Sequence, residues 1–161
     1  MTQGASSSDT GRSSPGARRF GYAVVIAVNA GLLYVVTHLL EWDLLGFLTD
    51  DFEAVVPIIA FSLLASIVVN LAYLWYDDAW FKTLAQLILN LISLAATVRL
   101  FRVFPFDFSS YDLNVELGFM DVTWEAVARA VLVLAMVGLG IAIISEGVKL
   151  IAIVRDRASA Q

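Results

Sequence analysis

The residues of this chain best suited to chemistry are uncharged. Thr83, Gln86, Asn90, Ser93 and Thr97 recur at spacings of 3, 4, 3 and 4, which sets all five on one flank of a helix. Ser62, Ser66, Asn70 and Tyr73 form a matching stripe one apolar run earlier. Amides and hydroxyls of this kind can hold water, an ion or a polar solute. Left unpaired in hydrocarbon, such a group costs several kcal/mol, so it must face protein or water. The two stripes are therefore expected to meet as one polar seam.

Stronger chemistry finds no pattern to carry it. There is no Cys, which excludes thiolate catalysis, disulfide exchange and thiolate-held clusters. The single His, His38, cannot supply paired axial imidazoles, and no HExxH run is present. Thr37, His38 and Glu41 share a helix flank and read as an interfacial pair. Asp50, Asp51 and Glu53 offer hard oxygen ligands but lack the regular spacing of a calcium loop. Glu125 with Arg129 and Glu146 with Lys149 stand at i,i+4 and i,i+3 and read as pairs within one helix. No catalytic residue, metal site or cofactor is expected, and the chain reads as a non-enzyme.

The elements that position these groups are four apolar runs. Phe20 to Leu40 and Ala54 to Tyr76 are charge-free over 21 and 23 residues, each long enough to cross a hydrocarbon core of about 30 Å. Thr83 to Val98 and Ala130 to Ser145 hold 16 charge-free residues each. Their flanks extend them, because Lys82 and Arg99 can lift their charged heads to the interface along flexible stems. The composition is 60% hydrophobic with a mean hydropathy of +0.81, against roughly 45–50% apolar in a soluble domain. The fold class is therefore all-α, an integral membrane four-helix bundle running up-down-up-down. The helices are expected near 20–41, 54–76, 79–103 and 124–154, forming one domain over 20–157. Interfacial aromatic and acidic loops are expected on the outer side. Within 161 residues four spans leave no room for a soluble catalytic domain.

Residues 1–19 are expected to be a disordered cytoplasmic tail, since the stretch to residue 17 is rich in Ser and Gly and buries too little surface to order itself. Residues 158–161 are expected to form a C-terminal tail. The first run exceeds the usual core of a signal peptide and reads as a retained anchor. Seven Lys and Arg fall on the side of the termini and three on the other, which predicts both termini inside a plasma membrane.

The connectors differ in kind. Asp77 to Trp80 is so short that the helices it joins must be antiparallel neighbours, with Asp77 or Asp78 as N-cap. Trp42 to Glu53 interleaves aromatics with acids, as a segment lying in the interface does. Phe104 to Thr123 carries Phe104, Phe106, Phe108, Tyr111 and Phe119 and reads as an aromatic belt, a short extended segment or a re-entrant cap.

At 1.5 Å per residue, Asn70 and Gln86 both lie roughly 9 Å from the inner surface and are expected to be hydrogen-bond partners. Ser66, Asn90 and Asn29 lie roughly 14–15 Å deep and are expected to converge. Glu41, Glu146, Arg99 and Arg129 read as interfacial. Ala135, Gly138 and Ala142 give the fourth helix a small-residue face, expected to close the bundle or to form a dimer contact. The basic count gives no reason to expect nucleic acid. The expected partners are the lipid bilayer and either another membrane protein or a second copy. The leading expectation is an accessory or scaffold subunit. The alternative is a homo-oligomeric channel or small-solute carrier lined by Asn29, Ser62, Ser66, Asn70, Gln86, Asn90, Ser93 and Thr97.

Overall fold

The computed structural model describes residues 15–42, 45–76, 78–109, 115–117 and 120–159. Four helices, α1 (Pro15–His38), α2 (Val56–Trp75), α3 (Ala79–Val103) and α4 (Trp124–Ser159), are each long and apolar enough to cross a membrane. A 3-10 helix, Asp50–Ala54, precedes α2. Strands β1 (Val115–Leu117) and β2 (Met120–Val122) form an antiparallel hairpin before α4, with Glu116 opposite Asp121.

Two boundaries differ from expectation. Helix α1 begins at Pro15, inside the segment expected to be disordered. A proline in the first helical turn gives up no needed N–H, and Arg18 and Arg19 are good helix formers. Residues 1–14 lie outside the described residues. Helix α4 continues to Ser159, past the expected end at 154 and into the expected tail. Arg155, Asp156, Arg157 and Ala158 contain no glycine or proline that would stop it. Residues 160–161 lie outside the described residues.

The helices pack in a row, α1 on α2, α2 on α3 and α3 on α4. Ring contacts and charges fix which ends meet. Tyr22 at the start of α1 lies 5.4 Å from Tyr73 near the end of α2, and Tyr73 lies 5.9 Å from Phe81 at the start of α3. Arg129 near the start of α4 covers the Phe104 ring beyond the end of α3, while Arg157 reaches back to Asp78. Each neighbour is therefore antiparallel to the last. Asp78 is the residue before α3, but its side chain caps no helix N–H. Its carboxylate instead accepts from the Tyr76 hydroxyl at 3.2 Å and faces Arg157 at 3.9 Å. Asp77, the other N-cap candidate, lies outside the described residues.

The first and third connectors are stitched together by backbone. Thr49 donates to the Pro105 carbonyl, Asp107 donates to that of Phe47, and Leu48 bridges Phe106. Beneath this seal Phe52, Val55 and Pro105 are buried, Val55 completely. Helix α3 ends on Phe104 with φ 43° and ψ 65°, a left-handed conformation that costs a non-glycine residue roughly 1–2 kcal/mol. The next residue is Pro105, which itself disfavours a continued helix. Tyr111 and Phe119 lie outside the described residues.

Along the spans the usual distribution of residues is inverted. Leu64, Val68, Val131, Leu134 and Ile141 are exposed, whereas Asn70 and Asn90 are buried. Stability in water would require the opposite, so the outward apolar surface is one that hydrocarbon covers.

Candidate functional site

Helical periodicity sorts the flanks of α2 and α3. At about 100° per residue, Phe61, Leu64, Val68, Leu71 and Trp75 fall on one side of α2, and all are exposed. Ser62, Ser66, Asn70 and Tyr73 fall opposite, from half-buried to buried. On α3 the exposed Ile88, Leu91 and Ala95 stand opposite Gln86, Asn90, Ser93 and Thr97. Both polar stripes thus turn away from the lipid-facing flanks.

Ring contacts also set the register of α1 against α2. With Tyr22 beside Tyr73, seven residues along each chain bring Asn29 level with Ser66. Asn29 lies on the half-buried flank of α1 with Tyr22, Ile26, Leu33 and Val36, the flank toward α2.

The hydrogen bonds differ from expectation. Asn70 donates to the Ser66 backbone carbonyl at 2.8 Å, and Gln86 donates to the side-chain Oδ1 of Asn90, one turn on, at 3.3 Å. The expected Asn70–Gln86 bond is not formed. Asn29 donates to the Val25 carbonyl, Ser62 to that of Ile59 and Thr97 to that of Ser93. Short polar side chains on a helix reach the carbonyl one turn back, so each is served along its own helix before it can cross to another. The one side-chain bond between α2 and α3 among the described residues is Tyr73 to the Lys82 carbonyl, at 3.2 Å. Asn70 and Asn90 are nevertheless 8% and 9% exposed, and their remaining amide atoms have no partner among the described residues.

Length along α4 places one charge. Glu146 stands 11 residues before Arg157, which faces Asp78, and 17 after Arg129, which stacks on Phe104. Counted from either end, Glu146 is level with Leu87 to Leu89, near the middle of α3. Because α4 runs on to Ser159, Glu146 lies alongside α3 rather than beyond its end. The expected Glu146–Lys149 pair forms at 2.7 Å, with side chains 17% and 58% exposed. Glu125 and Arg129 pair at 3.0 Å.

His38 departs from its expected partner. Its Nδ1 lies 2.9 Å from the Tyr34 carbonyl and 3.1 Å from the Thr37 hydroxyl, and its ring stacks on Trp42. No ion pair with Glu41 is formed among the described residues. A residue at the end of a helix finds the carbonyl one turn back closer than a side chain beyond the end.

The small-residue face does not close the row. Among the described residues, helix α4 packs chiefly along α3. A Cβ added at Gly138 would meet nothing within 4 Å, and Ala135 is exposed beside the half-buried Ala142.

A second feature lies at the outer end, where an apolar groove of 450 Å³ is lined by Phe47, Phe106, Phe108, Trp124, Val127, Ala128, Val131 and Leu132. Phe106 and Phe108 are two apart, which in an extended segment places them on one side. Phe47 stacks on Phe108 at 5.4 Å across the two connectors. The alternation was visible in the sequence, but the pairing of connectors that makes the groove was not. Asp107, between these rings, accepts from the Ser109 backbone at 2.9 Å. Hydrogen bonds from Ser109 hold its carboxyl below the usual carboxylate value.

The fold and its surface thus define a multi-pass α-helical membrane protein. No family model, curated protein or solved structure matches the chain.

Proposed function

We propose that this protein is a small polytopic accessory or scaffold subunit of the plasma membrane, a four-helix up-down-up-down bundle with both termini cytoplasmic. The observation that carries the reading is the open edge formed by α4. Its outer flank, with Val131, Leu134 and Ile141 exposed, is continuous with the aromatic groove above it. A helix of another membrane protein would fill both at once, gaining dispersion contacts at Ala135, Gly138 and Ala142, where the backbone can be approached closely.

Purification from native membranes in mild detergent tests this. A stoichiometric membrane-protein partner, reduced when Gly138→Leu or Val131→Trp obstructs the edge, supports the subunit role. A homo-oligomer with no foreign component, unchanged in both variants, overturns it.

A second reading is favoured by Gln86, whose side chain is exposed on the polar flank of α3. An exposed amide at this depth needs a polar neighbour, as the lining of a channel or small-solute carrier would supply. In that case Asn90→Leu alters solute flux into liposomes while the bundle stays folded.

A further inference from the structure

No run of the sequence is strongly basic, yet the fold gathers cations from three helices at one end of the molecule. Arg18 and Arg19 lie near the start of α1, Lys82 lies in the first turn of α3, and Arg155 and Arg157 lie near the end of α4. Lys82 Nζ stands 5.7 Å from the Tyr22 ring of α1, and the Arg157 guanidinium stands 5.8 Å from the Trp80 ring of α3. Antiparallel packing thus brings these helix ends to the short connector between α2 and α3.

The same contacts fix the depth of the charges. Arg157 faces Asp78 at 3.9 Å and is level with that connector. Arg155, two residues earlier, is about 3 Å deeper. Tyr22 lies beside Tyr73, and Arg19 and Arg18 stand about 4.5–6 Å farther out along α1, which brings them level with Tyr76. All four arginines are exposed and share one thin layer. Trp75 and Tyr76, 80% and 46% exposed, stand in it too, and outward aromatics of this kind mark the boundary between hydrocarbon and headgroups. Lys82 joins the arginines from one turn deeper.

The charge of this layer is not cancelled locally. Among the described residues it holds these five cations against the two acids Asp78 and Asp156, and Asp78 is shared between Arg157 and the Tyr76 hydroxyl. Asp77, outside the described residues, adds a third acid by sequence and leaves the balance positive. At the opposite end Arg99, Arg102 and Arg129 are outnumbered by acids, with Asp50, Asp51 and Glu53 inside a single turn. The positive end therefore stands out in a chain whose formal charge is -5.

We propose that this end binds the phosphate headgroups of anionic phospholipids around the rim of the helices. One compact soluble anion would not reach both pairs of arginines, because Arg18 and Arg19 belong to α1 and Arg155 and Arg157 to α4, which are not packed neighbours in the row. Headgroups spread along the rim meet each pair separately. An anionic lipid surface attracts cations held beside it within about a Debye length, and a guanidinium can donate two parallel hydrogen bonds to one phosphate. The inference needs only that the helices span a membrane and is independent of the subunit role.

The test places the full chain in phosphatidylcholine vesicles, with spin-labelled phosphatidylglycerol and spin-labelled phosphatidylcholine as probes. Electron paramagnetic resonance reads the fraction of each probe immobilised against the protein. The expected result is a preference for phosphatidylglycerol that shrinks as sodium chloride is raised. Arg155→Gln combined with Arg157→Gln should lower that preference, on the order of fivefold for each cation that lies close to the lipid surface. Arg18→Gln combined with Arg19→Gln should lower it in the same sense, and decides the matter if the first double variant does not fold. Arg99→Gln combined with Arg102→Gln, at the acidic end, should leave it unchanged. Equal immobilisation of the two probes, a preference that survives both arginine pairs, or one lost equally at the acidic end overturns the inference. Abolition of the preference by free glycerol 1-phosphate at constant ionic strength would assign these cations to a soluble phosphate and overturn the lipid site.

Discussion

The outer cap and the middle of the spans solve opposite problems with the same types of side chain. At the cap Phe52, Val55 and Pro105 are buried beneath two connectors held together by backbone bonds, as in a soluble core. In the spans the large apolar residues face outward and Asn70 and Asn90 face inward. The difference follows from the solvent. Water drives apolar groups together at the cap, whereas lipid tails are as apolar as leucine and leave close packing and polar contacts to hold helices together. Single substitutions should therefore cost much more at the cap than in the spans.

The largest expected effect is at Phe52. Phe52→Ala should cost about 3–5 kcal/mol, the range for emptying a buried aromatic site, measured by reversible unfolding in detergent. Val68→Ala, at a position 63% exposed on α2, should stay within about 0.5 kcal/mol. Equal losses at the two sites would break the comparison.

Arg129 comes next. Its guanidinium lies 3.9 Å from the centre of the Phe104 ring and also pairs with Glu125. The Arg129 side chain is 43% exposed, so Arg129→Ala should cost about 0.5–1 kcal/mol from the stack, the range for exposed cation–π contacts, in addition to the loss of the ion pair. Glu125→Ala, which removes only a solvent-exposed pair, should cost about 0.3–0.5 kcal/mol. A double-mutant cycle separates the two, and equal single losses would assign the whole effect to the ion pair. The stack also has a structural consequence, since it covers the residue that holds the left-handed end of α3.

Asn90→Leu in the span removes a bond from Gln86 within α3 and should cost no more than about 0.6 kcal/mol, the average even for an interhelical polar contact in a membrane. A loss as large as that of Phe52→Ala would mean that the seam is itself a core.

The smallest effect concerns pH at the cap. Because Ser109 holds the Asp107 carboxyl below its unfolded value, its contribution is present above about pH 3.9 and is lost as pH falls through the lower, folded value. Asp107→Asn should remove that acid sensitivity from the loop, followed by limited proteolysis between neutral and strongly acidic pH. Unchanged sensitivity in the variant would place its origin elsewhere.

The sequence by itself determined the class of protein and which flanks of α2 and α3 are polar. Span α3 was legible to the residue at both ends, because Asp78 and Pro105 bracket it. The alternation of Ser62, Ser66, Asn70 and Tyr73 with Phe61, Leu64 and Val68 told which side of α2 faces lipid. These features depend on chain length and a 3.6-residue period, both local quantities. Tertiary structure alone decided which atoms meet. The Asn70–Gln86 pair was plausible by depth, yet each amide found a nearer acceptor on its own helix. The place of Glu146 alongside α3 was set by the length of α4 and its anchoring at Arg129 and Arg157. Pairing of Phe47 with Phe108 depends on two connectors some sixty residues apart closing on one another. Register between elements is set by contacts remote in sequence, and no local periodicity encodes them.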